Sequence, residues 1–136
     1  MDRILKFSIS QGDDTNIYEV KIPTAGQLID IEVEKTRLSS GLYGSMARVG
    51  TASSSGALDV IDVSAYLRVL VPALMKDLKV ANITDLDIFD FKLLMKDYSE
   101  QFLPWVNDWQ RVLNAAPEKK KIEEDEQDLD STEETE

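Results

Sequence analysis

Residues 3–27 read RILKFSISQGDDTNIYEVKIPTAGQ, and the fold class turns on this stretch. Ile4, Leu5, Phe7 and Ile9 roughly alternate with polar residues, and Ile17, Tyr18, Val20 and Ile22 repeat the pattern. Gln11 to Asn16 between them is a dense run of turn formers, so the spacing predicts a β-hairpin over 3–22. A lone hairpin is marginal in water and has to pack on something. Pro23 ends the second strand, and Thr24-Ala25-Gly26-Gln27 has the form of a capping box, which starts a helix reaching about Ser39. Ile29 to Glu34 alternates with period two, which is a strand signature. The cap decides for helix.

Further along, four glycines and six serines between Ser39 and Gly56 disfavour a long regular element, leaving room for a short turn of helix over Tyr43 to Val49. Ala57 to Leu78 is apolar at helical spacing, and Pro72 should kink or divide it. Thr84 and Asp85 offer N-caps for a helix whose Phe91, Met95, Tyr98 and Phe102 face a core. Pro104 predicts a break at Leu103 and a short terminal helix carrying Trp105, Trp109 and Val112 or Leu113 toward Ala116. After Pro117 only Ile122 and Leu129 are apolar, too little burial to offset the entropy of ordering. The expected fold is α+β and predominantly helical, an N-terminal hairpin packed on a bundle of about four to five helices. The expected globular domain is 1–116, with its helices within 24–116, followed by a disordered acidic tail over 117–136.

Composition narrows the function. The 136 residues include no cysteine and no histidine, which removes thiolate chemistry, the commonest general base and the commonest transition-metal ligand. The net charge is −11, and residues 118–136 carry −7 of it through ten acids and three lysines. Apart from Lys119 to Lys121 there is no basic cluster of the kind that displaces counterions from nucleic acid, so direct nucleic-acid binding is not expected. Met1 to Ser10 has no signal-like apolar core, and the longest apolar run, Val69 to Met75, is far short of the ~20 residues that span a bilayer. A cytosolic protein without membrane contact is expected.

No catalytic constellation emerges, and no cofactor or metal is expected. Asp85, Asp87 and Asp90 lack the glycine and distal glutamate of a calcium loop and suit the positive end of a helix. The glycines from Gly50 to Gly56 are not followed by the Lys and Ser or Thr of a phosphate loop, which leaves a flexible loop. Asp30, Glu32 and Glu34 read as a solvated face. Tyr98, Phe102, Trp105 and Trp109 are spaced by four, three and four, so they fall on one helical stripe. Such rings are either core, where aromatics dominate burial, or anchors for a partner. They are the candidate partner-binding residues, with Trp109, nearest the acidic tail, expected to be exposed. The tail itself serves either as a solubilising bristle or as a contact with a basic partner.

Ile22-Pro23-Thr24-Ala25-Gly26-Gln27-Leu28-Ile29-Asp30-Ile31-Glu32, the segment from Lys35 to Tyr43, and the ending Leu103-Pro104-Trp105-Val106-Asn107-Asp108-Trp109 resemble small proteins of tailed bacteriophages. The nearest class is the tail assembly chaperone. The resemblance implies a non-enzymatic protein in the host cytoplasm that binds the tape measure protein, the tail tube protein or both, with possible self-association. A structural tail or connector component of the virion and an acidic DNA-mimic inhibitor of a host protein remain as alternatives.

Overall fold

The computed structural model describes residues 1–11 and 13–115; the predicted tail over 117–136, and Ala116 at the predicted domain end, lie outside the described residues. Strands β1 (Ile4–Gln11) and β2 (Asp14–Lys21) pair antiparallel, from Ile4 opposite Lys21 to Gln11 opposite Asp14. The turn is tighter than the run of turn formers suggests. Asp14, Thr15 and Asn16 take up ladder positions opposite Gln11, Ser10 and Ile9, because pairing satisfies backbone groups that a wider turn would leave to solvent. Opposed residues share a face, so Leu5 with Val20, Phe7 with Tyr18, and Ile9 point inward while Ile4 and Ile17 point out.

Helix α1 (Ala25–Ser39) begins with the predicted box: the Thr24 hydroxyl accepts from the Gln27 N–H at 3.1 Å, and the Thr24 N–H donates to Gln27 Oε1 at 2.9 Å. Gly41, at φ +78°, carries the chain out of the helix in a conformation that favours glycine. Short α2 (Tyr43–Val49) ends on Gly50, also left-handed at φ +71°. Helix α3 (Ala52–Leu70) starts five residues before the predicted Ala57, since the Thr51 side chain accepts from the Ser54 N–H and the small serines pass into the first turn. Pro72 divides rather than kinks: α3 stops at Leu70 and α4 (Ala73–Leu78) follows.

The next start also differs from expectation. Asn82 and Asp85 cap each other around a 3-10 turn, Ile83–Asp85, and it is Asp87 that caps α5 (Ile88–Asp97) by accepting from the Asp90 N–H at 2.8 Å. The predicted break at Leu103 does not occur. Residues Tyr98–Phe102 form a π-helical turn in which the Leu103 N–H bonds the Tyr98 carbonyl, and the chain continues as helix α6 over 103–115. One wide turn makes room for the Pro104 ring and absorbs its missing N–H, so the axis carries on.

The hairpin lies on this long α5–α6 segment, and its outer edge is pinned by it. The Gln101 side chain exchanges two hydrogen bonds with the Ser8 backbone, at 2.8 and 2.9 Å, as a neighbouring strand would. The Ser10 N–H reaches Asp97 Oδ2 at 3.4 Å, and Trp105 Nε1 donates to the Asp2 carbonyl at 2.8 Å. Asp97 and Gln101 thus cover the free edge of β1, which would otherwise invite pairing with another chain, and Trp105 holds the segment that leads into it. Tyr18 ties β2 to α4 through a 2.6 Å bond to Asp77. The core is one cluster in which Phe7, Ile9 and Val20 of the hairpin meet Ile31 of α1, Leu67 of α3, Leu74 of α4 and Phe102. Among the described residues, no helix is long and apolar enough to cross a membrane.

Candidate functional site

Tyr98, Phe102, Trp105 and Trp109 are brought together as the stripe predicts, in a continuous row. Tyr98 stacks on Phe102 at 4.9 Å, Phe102 meets Trp105 edge-on at 5.6 Å, and Trp105 meets Trp109 at 6.2 Å. Phe7 of the hairpin closes on Phe102 at 5.3 Å. All four rings are buried, and the expectation of an exposed Trp109 is corrected: it is only 4 % exposed. Met1, Arg3, Ile22 and Pro23 gather beside it, so the ring meets chain more than water. Beyond the edges that Tyr98 and Trp109 show to neighbouring hollows, little of this row is open to a partner.

What α1 turns outward was not singled out by the sequence. Ile31 is buried against the core, while Ile29 and Val33, two residues to either side and four from each other, are 65 % and 59 % exposed. The signal was the period-two alternation itself. On a strand it would put three apolar side chains on one face; on a helix fixed by its cap it sends the middle one in and the flanking two out. Leu28, Ile29 and Val33, bordered by Glu32, Thr36 and Arg37, floor an open depression of about 670 Å³. Leu28 also walls a neighbouring groove of about 370 Å³ in which Met1, Ile22, Trp109, Val112 and Leu113 meet. The two hollows therefore share a wall, and the apolar surface is continuous from α1 to α6. Inside it, the Trp109 Nε1–H finds no acceptor among the described residues. A second, separate apolar exposure sits on α5, where Ile88, Phe89 and Leu93 project into solvent.

The acids of the folded part sort by partner. Glu34 does not belong to a solvated face: it is largely covered, accepts two hydrogen bonds from Arg37 at 2.8 and 2.9 Å, and lies 3.6 Å from Arg68. The Arg37 guanidinium holds its carboxyl below the usual carboxylate range against the opposing effect of burial. Lys35, mostly covered, pairs with Glu32 at 3.0 Å and Asp62 at 3.8 Å and lies over the rings of Tyr43 and Tyr66. Asp62 accepts the Tyr43 hydroxyl at 2.7 Å, yet burial pushes its carboxyl up, with Asp59 and Glu32 adding to the push. Burial likewise raises the Tyr43, Tyr66 and Tyr98 hydroxyls. Asp85 and Asp87 are used in caps and Asp90 stands in the first turn of α5, as the helix-end reading expects. No group of three or more acidic side chains among the described residues is arranged to hold a metal ion.

Compared with known protein families, with curated proteins and with solved structures, the chain finds no match in any of the three.

Proposed function

We propose that this chain is a non-enzymatic interaction protein, an assembly chaperone of phage tails that acts in the host cytoplasm and binds the tape measure protein. The observation that carries the reading is the outward pair Ile29 and Val33 on α1, joined through Leu28 to the groove beside Trp109. Scattered single apolar residues are ordinary on a protein surface, but a continuous apolar patch with a polar rim is where other proteins dock. A side-chain pair four apart on a rigid helix suits the apolar stripe of a partner helix, whose own residues recur at three and four. Tape measure proteins, as the resemblance to tail assembly chaperones implies, offer such helices. The acidic stretch 118–136 adds a second contact of electrostatic character, weakened by salt.

The test is co-expression with a tape measure protein from the same genome, followed by mass spectrometry of both the soluble complex and purified virions. A chaperone is expected in the complex and absent from the particle. Recovery in the particle at stoichiometric amounts would make it a structural tail component instead, and absence from both would remove the tape measure as partner.

A further inference from the structure

A pocket of about 300 Å³, distinct from the apolar face, opens between α1, α3 and the α5–α6 segment. Its walls include Lys35, Asp59, Asp62, Tyr66, Tyr98 and Gln110. Glu32 stands behind Lys35 at 3.0 Å. Glu32 and Asp62 both pair with the Lys35 ammonium, which also lies over the faces of two tyrosines, and Asp59 lines the same pocket, so three carboxylates share this region with one ammonium. Burial is what chiefly raises the Asp62 carboxyl, and Asp59 and Glu32 add to it.

Tyr98 supplies the second, independent sign of a ligand. It is 3 % exposed, held by stacking on Phe102, and lines this pocket, yet its hydroxyl makes no hydrogen bond among the described residues. With no such partner among the described residues, that hydroxyl has a donor and an acceptor to offer to whatever enters the pocket. Tyr66 is only loosely satisfied, by Gln110 Nε2 at 3.3 Å. The pocket therefore offers carboxylate oxygens, an idle phenol oxygen and aromatic walls, with the Lys35 ammonium as the one positive charge among its lining residues.

We propose that this pocket takes the guanidinium of an arginine side chain presented by a partner protein. A guanidinium has five donors in a plane, sheds water more easily than an ammonium, and lies well against tyrosine rings. Its donors can divide between Asp59, Asp62 and the Tyr98 oxygen, and its charge offsets the local excess of carboxylate. The volume, at the low end for small-ligand sites, accommodates one long side chain and excludes a helix. Assigning the arginine to a partner protein rests on the proposed function; the guanidinium site itself does not, and it is testable without any partner.

The experiment is an NMR titration of the full chain with N-acetyl-arginine amide, read at the side-chain amides of Asn107 and Gln110. A saturable shift at both is expected, absent with the neutral isostere N-acetyl-citrulline amide. Asp59→Asn, at an exposed position where folding is not at stake, should weaken the affinity about five-fold, the scale of one charged contact. Tyr98→Phe, which keeps the stacked ring, should weaken it about three-fold for the lost hydrogen bond. Polar replacement of Ile29 and Val33 should leave the titration unchanged, so failure of the apolar-face reading would not imitate failure here. No saturable shift, an equal shift with the citrulline amide, or wild-type affinity in both variants would overturn the proposal.

Discussion

Two apolar stripes at helical spacing lie on this molecule, and they meet opposite fates. The row from Tyr98 to Trp109 is covered along its whole length, while the pair Ile29 and Val33 stands open. The difference is not hydrophobicity, since the open residues are as apolar as many in the core. It is coverage: the hairpin has one inward face, and it is spent on the aromatic row, fixed there by Gln101, Asp97 and Trp105 along β1. The lesson is that an apolar stripe becomes an interface candidate only after the rest of the chain has chosen which stripe to cover.

The largest expected effect comes from the centre of the covered row. Phe102→Ala should cost about 3–5 kcal/mol in urea denaturation, because Phe102 touches Phe7, Tyr66, Tyr98 and Trp105 and nothing nearby is free to fill the hole. Trp109→Ala should destabilise on a similar scale, about 3 kcal/mol. Wild-type stability with weakened partner binding would instead return Trp109 to the surface and dissolve the contrast. Thr24→Ala removes the cap that makes residues 28–34 a helix, with an expected cost of about 1 kcal/mol. Ile29→Gln with Val33→Gln should shift stability by less than about 0.5 kcal/mol, as exposed helical changes do. A loss comparable to that of Phe102→Ala would show that the open stripe is covered after all.

The smallest effects sharpen the comparison through pH. The Glu34 carboxyl is depressed in the fold, so its contribution is present above the unfolded value and disappears as pH falls through the folded one. The Asp62 carboxyl is raised, so its contribution is present at low pH and is lost as pH climbs through the folded value. Below about pH 4.5, stability should therefore rise with pH less steeply than wild type in Glu34→Gln, and above about pH 4 it should rise more steeply than wild type in Asp62→Asn. Each difference is expected to stay below about 1 kcal/mol, read from denaturation midpoints across the range.

Much of the fold was legible because the signals were local. Pro23, Thr24 and Gln27 lie within five residues and specify one helix start, and that settles the fate of the alternating run behind them. Gly50 and the short α2 were equally readable. What escaped depended on competition between neighbours or on distance. The Thr51 cap was hidden in a run of serines and glycines whose composition argued for loop. Asp87 prevailed over Thr84 and Asp85 because Asp85 was already engaged with Asn82. The π turn before Pro104 needed a packed aromatic row to make a continuous helix preferable to a break. The aromatic stripe itself was read correctly as a stripe, but whether it faced core or partner was decided by residues more than ninety positions away, in β1. The same coverage left Ile29 and Val33 open, which no local pattern could announce.

The central claim, that α1 presents its uncovered stripe to another protein, is tested most directly by calorimetric titration of a helical tape measure segment into two forms of the chain. Wild type is expected to bind saturably, with a negative heat-capacity change from apolar burial, and the Ile29→Gln, Val33→Gln form to bind at least about ten-fold more weakly while unfolding at the same urea concentration. Equal binding by both forms, or none by either, would contradict it.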